Sequence, residues 1–334
     1  MHRGSSIVLL AALAVLAWVG VGSGLVGCKP IKPKPKPQTQ TFNEARRLFT
    51  THLVERARDT APPPKPPSHV FSVVKYTGPL GPMNAYMTPP PQIITGKRPA
   101  VIWLGGGDHN SLGDHLWNAQ RLEDDQSAKQ LREAGLIMMV PALRGGSQNP
   151  GEKEGFCGEV DDVIAAAEWL GKQPQVDPTR IFLAGHSTGG TLALLVAAAT
   201  DKFRAIFVFG PMDEVGGGYA RESMPWYNRG STKEVLMRSP IYWLKDISTP
   251  TYVIEGVDDP SNGDALYAMQ DNTTNEKIKF IAISGADHFS ILAPTLRAIA
   301  DKIVADKGGG PGRPVTLTVE DIQRAYGMEV KDPR

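Results

Sequence analysis

The stretch Ile181-Phe182-Leu183-Ala184-Gly185-His186-Ser187-Thr188-Gly189-Gly190, continuing through Thr191 to Ala199, decides how this chain is read. Four apolar residues of strand length enter a Gly-x-Ser-x-Gly turn, and a helix-forming run leaves it. A serine at so sharp a strand-to-helix turn projects its hydroxyl above the sheet edge. The glycines two places on either side leave room for the strained backbone. The short pattern is common; its strand and helix context gives it weight. Ser187 is therefore the candidate nucleophile, and Thr188, next along, can offer its backbone N–H to a developing oxyanion.

A serine hydroxyl is a poor nucleophile at neutral pH. It needs a histidine base, and the imidazole needs a carboxylate to orient it. Downstream, an acidic cluster follows a strand: Glu255-Gly256-Val257-Asp258-Asp259-Pro260. Beyond it His288 stands in Gly285-Ala286-Asp287-His288-Phe289-Ser290, between a strand and a helix. The order serine, acid, histidine is that of the α/β-hydrolase fold. Asp259, three residues after Gly256, is the expected acid and Asp258 its alternative. Glu255 lies within the strand and would need an unusual orientation. A second oxyanion donor is expected from Gly105-Gly106-Gly107 after Leu104, with Gly106 first and Gly105 second. His186 is expected to pack beside the nucleophile. Asp108-His109 and Asp114-His115 fit no strong metal spacing, so neither a metal nor another cofactor is expected.

Around the turn the chain alternates short apolar strands with helices. Strands are expected at Val70–Tyr76, Ala85–Thr88, Ala100–Leu104, Leu136–Pro141, Ile181–Ala184, Ala205–Phe209, Thr251–Glu255 and Lys279–Ile283, the first two as a hairpin or meander. Helices are expected at Asp124–Ala134, capped by Gly135, and at Glu159–Leu170, closed by Gly171. Such alternation implies an α/β fold with a mostly parallel central sheet covered by helices on both faces. Met212 to Asp246 interrupts the pattern with Gly and aromatic residues, and reads as a lid-like insertion above the strand ends.

With 334 residues the chain can bury a sizeable core, and a formal net charge of +1 gives no reason to expect nucleic acid. Residues 1–27 read as a signal peptide, with an apolar run from Ile7 to Val21 too short for a comfortable membrane span. Leu25-Val26-Gly27-Cys28 resembles the lipobox of bacterial lipoproteins, which implies a lipidated Cys28 and a membrane partner on the extracytoplasmic face of the cell envelope. Buried acyl methylenes contribute about 0.8 kcal/mol each, so several chains anchor stably. Residues 28–67 then read as a Lys/Pro-rich spacer with a short helix, in which Thr41 and Glu44 form a capping box. Residues 68–307 form the catalytic domain, and 308–334 a flexible tail with a short terminal helix. The other cysteine, Cys157, reads as a small buried hydrophobe.

Several stretches together resemble the prolyl oligopeptidase-type branch of the α/β-hydrolases. They are Arg144-Gly145-Gly146, Glu159-Val160-Asp161-Asp162-Val163, Ala165 to Leu170, Val176 to Ile181, Gly185 to Gly190 and Gly285 to Phe289. The resemblance covers Val70 to Asp306. It implies a serine hydrolase acting on a peptide or ester, with Ser187 as nucleophile, Asp259 as acid and His288 as base. Arg144 is implied as a structural group or a contact for a substrate carboxylate. The long N-terminal β-propeller of prolyl oligopeptidases is not seen here. That keeps open a carboxylesterase or thioesterase on small acyl substrates, and a non-catalytic ligand-binding lipoprotein with the same fold.

Overall fold

The computed structural model describes residues 38–89, 96–107, 110–217, 223–308 and 315–327. The signal peptide, Cys28 and nearly all of the Lys/Pro-rich spacer lie outside them, as do Asp108 and His109. The frame is a sheet whose strands are β1 (Ser72–Gly78), β2 (Gly81–Met87), β3 (Arg98–Leu104), β4 (Ile137–Pro141), β5 (Val176–His186), β6 (Ile206–Phe209), β7 (Thr251–Gly256) and β8 (Ile278–Ile283). Their order is β1-β2-β4-β3-β5-β6-β7-β8. β1 and β2 form an antiparallel hairpin and β2 pairs antiparallel with β4; every other pairing is parallel.

Among the described residues the α-helices include α1 (Phe42–Arg47), α2 (Lys129–Glu133), α3 (Glu159–Gly171), α4 (Thr188–Ala199), α5 (Thr232–Arg238), α6 (Gly263–Asp271), α7 (Leu292–Ala305) and α8 (Val319–Ala325). Strand alternation splits the core between the two faces of the sheet. Ala100, Ile102, Leu183, Ile206, Val208 and Val253 pack with α3, α4 and α6. Val101, Trp103, Phe182, Phe207, Tyr252 and Ile254 pack with α2, α7 and α8. The central strands read as continuous apolar runs because both faces are covered. α4 is apolar all round for a related reason: every residue from Thr188 to Ala198 is buried, between the sheet and the segments outside it. Each buried Leu or Val of this helix contributes ~1.5–3 kcal/mol.

Two segments differ from expectation. The helix expected over Asp124–Ala134 shrinks to Lys129–Glu133, because Ala128 takes φ 52° and the buried Asp125 carboxylate binds Ser127 and Gln130 instead of continuing the helix. Residues 315–327 are no loose tail. Val315, Leu317 and Ile322 are buried, and the Tyr252 hydroxyl donates to the Val315 carbonyl over 2.7 Å. The helix opened at Thr41 is expected to lay its apolar face on the main domain, and it does: residues 41–59 form a strap across the domain. The capping box at Thr41 and Glu44 starts α1, whose Phe42 is buried against Trp243. Val54 N donates to the Trp226 carbonyl (2.8 Å), and Asp59 N to the Gly145 carbonyl (2.7 Å).

The insertion is packed down. Val215, Met224, Tyr227, Val235, Met237, Ile241, Trp243 and Leu244 belong to the core beside α4. Arg238, fully buried, locks it in place. Its guanidinium pairs with Glu234 one turn earlier and donates to the Glu154 carbonyl (2.9 Å) and to Thr51 Oγ1 of the strap (2.6 Å). It also lies 4.1 Å over the Tyr227 ring, an added cation–π contact.

Candidate active site

Ser187 separates the last residue of β5 from the first of α4 and takes φ 54°, ψ −115°. A non-glycine residue holds such a conformation only where its surroundings over-determine it. Here its N–H donates to the Phe209 carbonyl of β6 (2.8 Å), and its carbonyl accepts from Thr191 N (2.9 Å) and Thr191 Oγ1 (3.1 Å). The turn also needs close approach. A Cβ on Gly189 would stand 2.3 Å from the carbonyl oxygens of Leu104 and Gly105, so the exit of β3 lies directly on the start of α4.

That contact brings the glycine loop to the serine. A Cβ on Gly106 would lie 3.3 Å from Ser187 Cβ, whereas one on Gly105 would meet nothing within 4 Å. The Thr188 hydroxyl donates to the Gly107 carbonyl (2.8 Å) and ties the loop to the helix. The structure thus gathers Ser187, Thr188 and Gly106 at the N-terminus of α4. The unsatisfied N–H groups there favour negative charge.

His288 follows β8 and is 9% exposed. The Asp287 carboxylate accepts from Phe289 N (2.9 Å) and Ser290 N (2.8 Å), fixing the turn that carries the imidazole. His288 N donates to the Pro260 carbonyl (2.8 Å). Its ring nitrogen Nδ1 lies 2.9 Å from Oε1 of Glu255, a residue with no exposed surface.

The carboxylate that meets His288 is therefore neither Asp259 nor Asp258. Both of those are exposed, and Asp258 accepts from Gly285 N (3.3 Å) at the rim of the loop. The loop after β7 explains the difference. It folds back so that Asn262 N donates to Glu255 Oε1 (2.8 Å) and the Pro260 carbonyl takes His288 N. The main chain of residues 258–262 supports the histidine while its aspartates face solvent. Gly210, with φ +51°, makes room: a Cβ there would lie 2.4 Å from His288 Cε1 and 2.5 Å from Glu255 Oε2. The sequence held one signal. Glu255 is the only charge in β7, a strand buried along its whole length, and a charge in such a place must have a partner.

Among the described residues Ser187 and His288 are not hydrogen-bonded to each other; His186 stands beside both. In unliganded sites such bonds are often long and tighten only around the reacting group. The His186 ring packs 4.6 Å, centroid to centroid, from that of His288, and Nε2 lies 3.1 Å from the His288 carbonyl oxygen. Burial, with His288 adding to it, holds the His186 imidazole down to about 3.

Arg144 is held by two carboxylates. Its guanidinium binds the buried Asp162 through Nε (3.0 Å) and Nη2 (2.9 Å) and the partly exposed Glu154 through Nη1 (2.7 Å). Burial opposes its charge, but these partners outweigh it and raise its affinity for the proton. Desolvation pushes the Cys157 thiol up to about 12, which leaves it un-ionised at neutral pH. Among the described residues no cluster of three His, Cys, Asp or Glu side chains could hold a metal, and no helix is long and apolar enough to cross a membrane.

The profile of the prolyl oligopeptidase family matches residues 123–301. An uncharacterized protein of Mycobacterium tuberculosis is 28% identical over 203 residues, 59% of this chain. The chain thus spans about 66% of the length of that curated relative. Among solved structures, an esterase from Pyrobaculum calidifontis superimposes with a TM-score of 0.54 at 19% identity, over 73% of this chain and 88% of that one. An acylaminoacyl peptidase does so with a TM-score of 0.57 at 14% identity, over 75% and 43%. A puromycin-hydrolyzing peptidase of Mycobacterium tuberculosis gives 0.53 at 20% identity, over 70% and 39%. These likenesses are of fold.

Proposed function

This chain belongs to the prolyl oligopeptidase family of serine hydrolases, and from that premise we propose that it cleaves an acyl bond, peptide or ester, through Ser187, His288 and Glu255. The observation that carries the reading is the hydrogen bond from His288 to a fully buried Glu255, on the strand one beyond the neighbour of the strand that ends in the strained serine turn.

Glu255 accepts the proton-bearing Nδ1 of His288 and leaves the lone pair on Nε2. Ser187 Oγ attacks the acyl carbon while its proton passes to Nε2. The carbonyl π-electrons move onto oxygen, where Thr188 N–H and Gly106 N–H meet the charge; losing one such donor typically costs about 3 kcal/mol. Nε2–H then protonates the departing amine or alcohol as the old acyl bond breaks. Water, deprotonated by the same nitrogen, releases the acid and restores Ser187.

A fluorophosphonate probe should label the wild-type protein and not Ser187→Ala. A wild type that stays unlabelled would point to a non-catalytic binding protein. A panel of p-nitrophenyl esters, acyl thioesters and aminoacyl or prolyl amides separates a peptidase from a carboxylesterase or thioesterase.

The sequence around Cys28 supports a second proposal, that lipid on this cysteine anchors the protein on the extracytoplasmic side of a bacterial membrane. Cys28→Ser should move the protein from the membrane fraction to the soluble one. Retention in the membrane would defeat the proposal.

A further inference from the structure

His186 sits inside the serine turn and has no part in the proton transfers above. Its ring is 1% exposed. Nε2 lies against a carbonyl oxygen, which can only accept, so Nε2 carries the proton and donates to His288 O over 3.1 Å. Nδ1 is then bare. It is buried with no hydrogen-bond partner, and a Cβ on Gly106 would lie 3.0 Å from it. One edge of the ring thus rests on the oxyanion glycine and the other is bonded to the backbone of the base. Phe289 meets the ring edge-on at 5.8 Å. The titratable group that acts on His186 is His288 itself, and burial keeps the ring uncharged at neutral pH. An uncharged spacer adds no like charge beside the imidazolium that forms on His288.

We propose that His186 is a positioning residue: its ring sets the separation of the Gly106 loop from His288, and its Nε2–H holds the His288 backbone so that Nδ1 stays on Glu255. The catalytic consequence rests on the hydrolase reading, whereas the geometric claim does not.

The test compares His186→Gln, whose amide N–H can replace Nε2–H, with His186→Phe and His186→Met, which fill the space without a donor. Two readouts are taken on the full chain. The first is the downfield proton NMR resonance of His288 Nδ1–H, assigned with His288→Gln, which needs no turnover. The second is the rate of Ser187 labelling by a fluorophosphonate.

In the donor-free variants the downfield Nδ1–H resonance of His288 should move upfield or broaden by exchange as the Glu255 bond loosens. Labelling should slow about tenfold or more, while His186→Gln stays within about threefold of wild type. An unmoved resonance with labelling within about threefold in a folded donor-free variant would overturn the proposal. So would a His186→Gln variant as impaired as the others. A wild type that is never labelled, but whose His288 Nδ1–H resonance still responds to substitution at His186, would sink the hydrolase reading and leave the positioning intact.

Discussion

At the scale of single residues, the site turns on a buried carboxylate, Glu255, whose Oε1 lies 2.9 Å from His288 Nδ1. Asp259 stands where the strand-to-loop spacing calls for an acid, yet it faces solvent, and Glu255 holds the histidine from within the strand. Glu255→Gln would present an amide to Nδ1 and favour the wrong tautomer. It should lower kcat by about 10²–10⁴-fold, whereas Asp259→Asn and Asp258→Asn should stay within about threefold, as steady-state ester kinetics would show. A large loss in Asp259→Asn alone would return the role to that residue. Gly210→Ala tests the same pair sterically. Its Cβ would fall 2.4 Å from His288 Cε1, so the ring must move. Kcat should drop about tenfold or more while the far-UV circular dichroism holds.

At the scale of elements, the site depends on β3, β5 and α4 meeting without side chains between them. Gly189→Ala would drive a methyl to 2.3 Å from two main-chain oxygens that belong to the exit of β3. Backbone cannot yield there as a flexible side chain would, so a loss at or above the usual ~1–3 kcal/mol of overpacking is expected in urea unfolding. The insertion and the strap depend on a buried charge. Arg238→Met would leave Glu234, itself 4% exposed, with its hydrogen bonds from His52 N and Thr51 Oγ1 but without its counter-charge, and should cost about 3–5 kcal/mol. The double variant with Glu234→Gln should recover part of that loss. A mobile lid would show neither effect, because α5 would then carry little of the fold's stability.

At the scale of the whole molecule, His186 ties catalysis to stability. Its folded-state affinity for protons, at about 3, lies below the unfolded value near 6.5. The unfolded chain therefore binds a proton that the folded one refuses. This contribution is fully present above pH 6.5 and is lost as pH falls from there toward 3, with a slope of about 1.4 kcal/mol per pH unit. Wild type should weaken more steeply than His186→Gln in urea titrations between pH 6 and 4, and parallel slopes would refute the assignment. The amino-acid sequence by itself determined the α/β fold, the serine turn and the glycine loop, because each is written in local patterns: apolar runs of strand length, helix-forming runs, and glycines where backbone must approach backbone. Three-dimensional packing settled which carboxylate meets His288, that Arg144 is occupied by Asp162 and Glu154, and that the insertion is a fixed part of the domain. Those outcomes depend on how distant loops fold onto one another. Asp259 and Glu255 carry the same chemistry four positions apart, and the turn that brings Asn262 back to β7 selected between them.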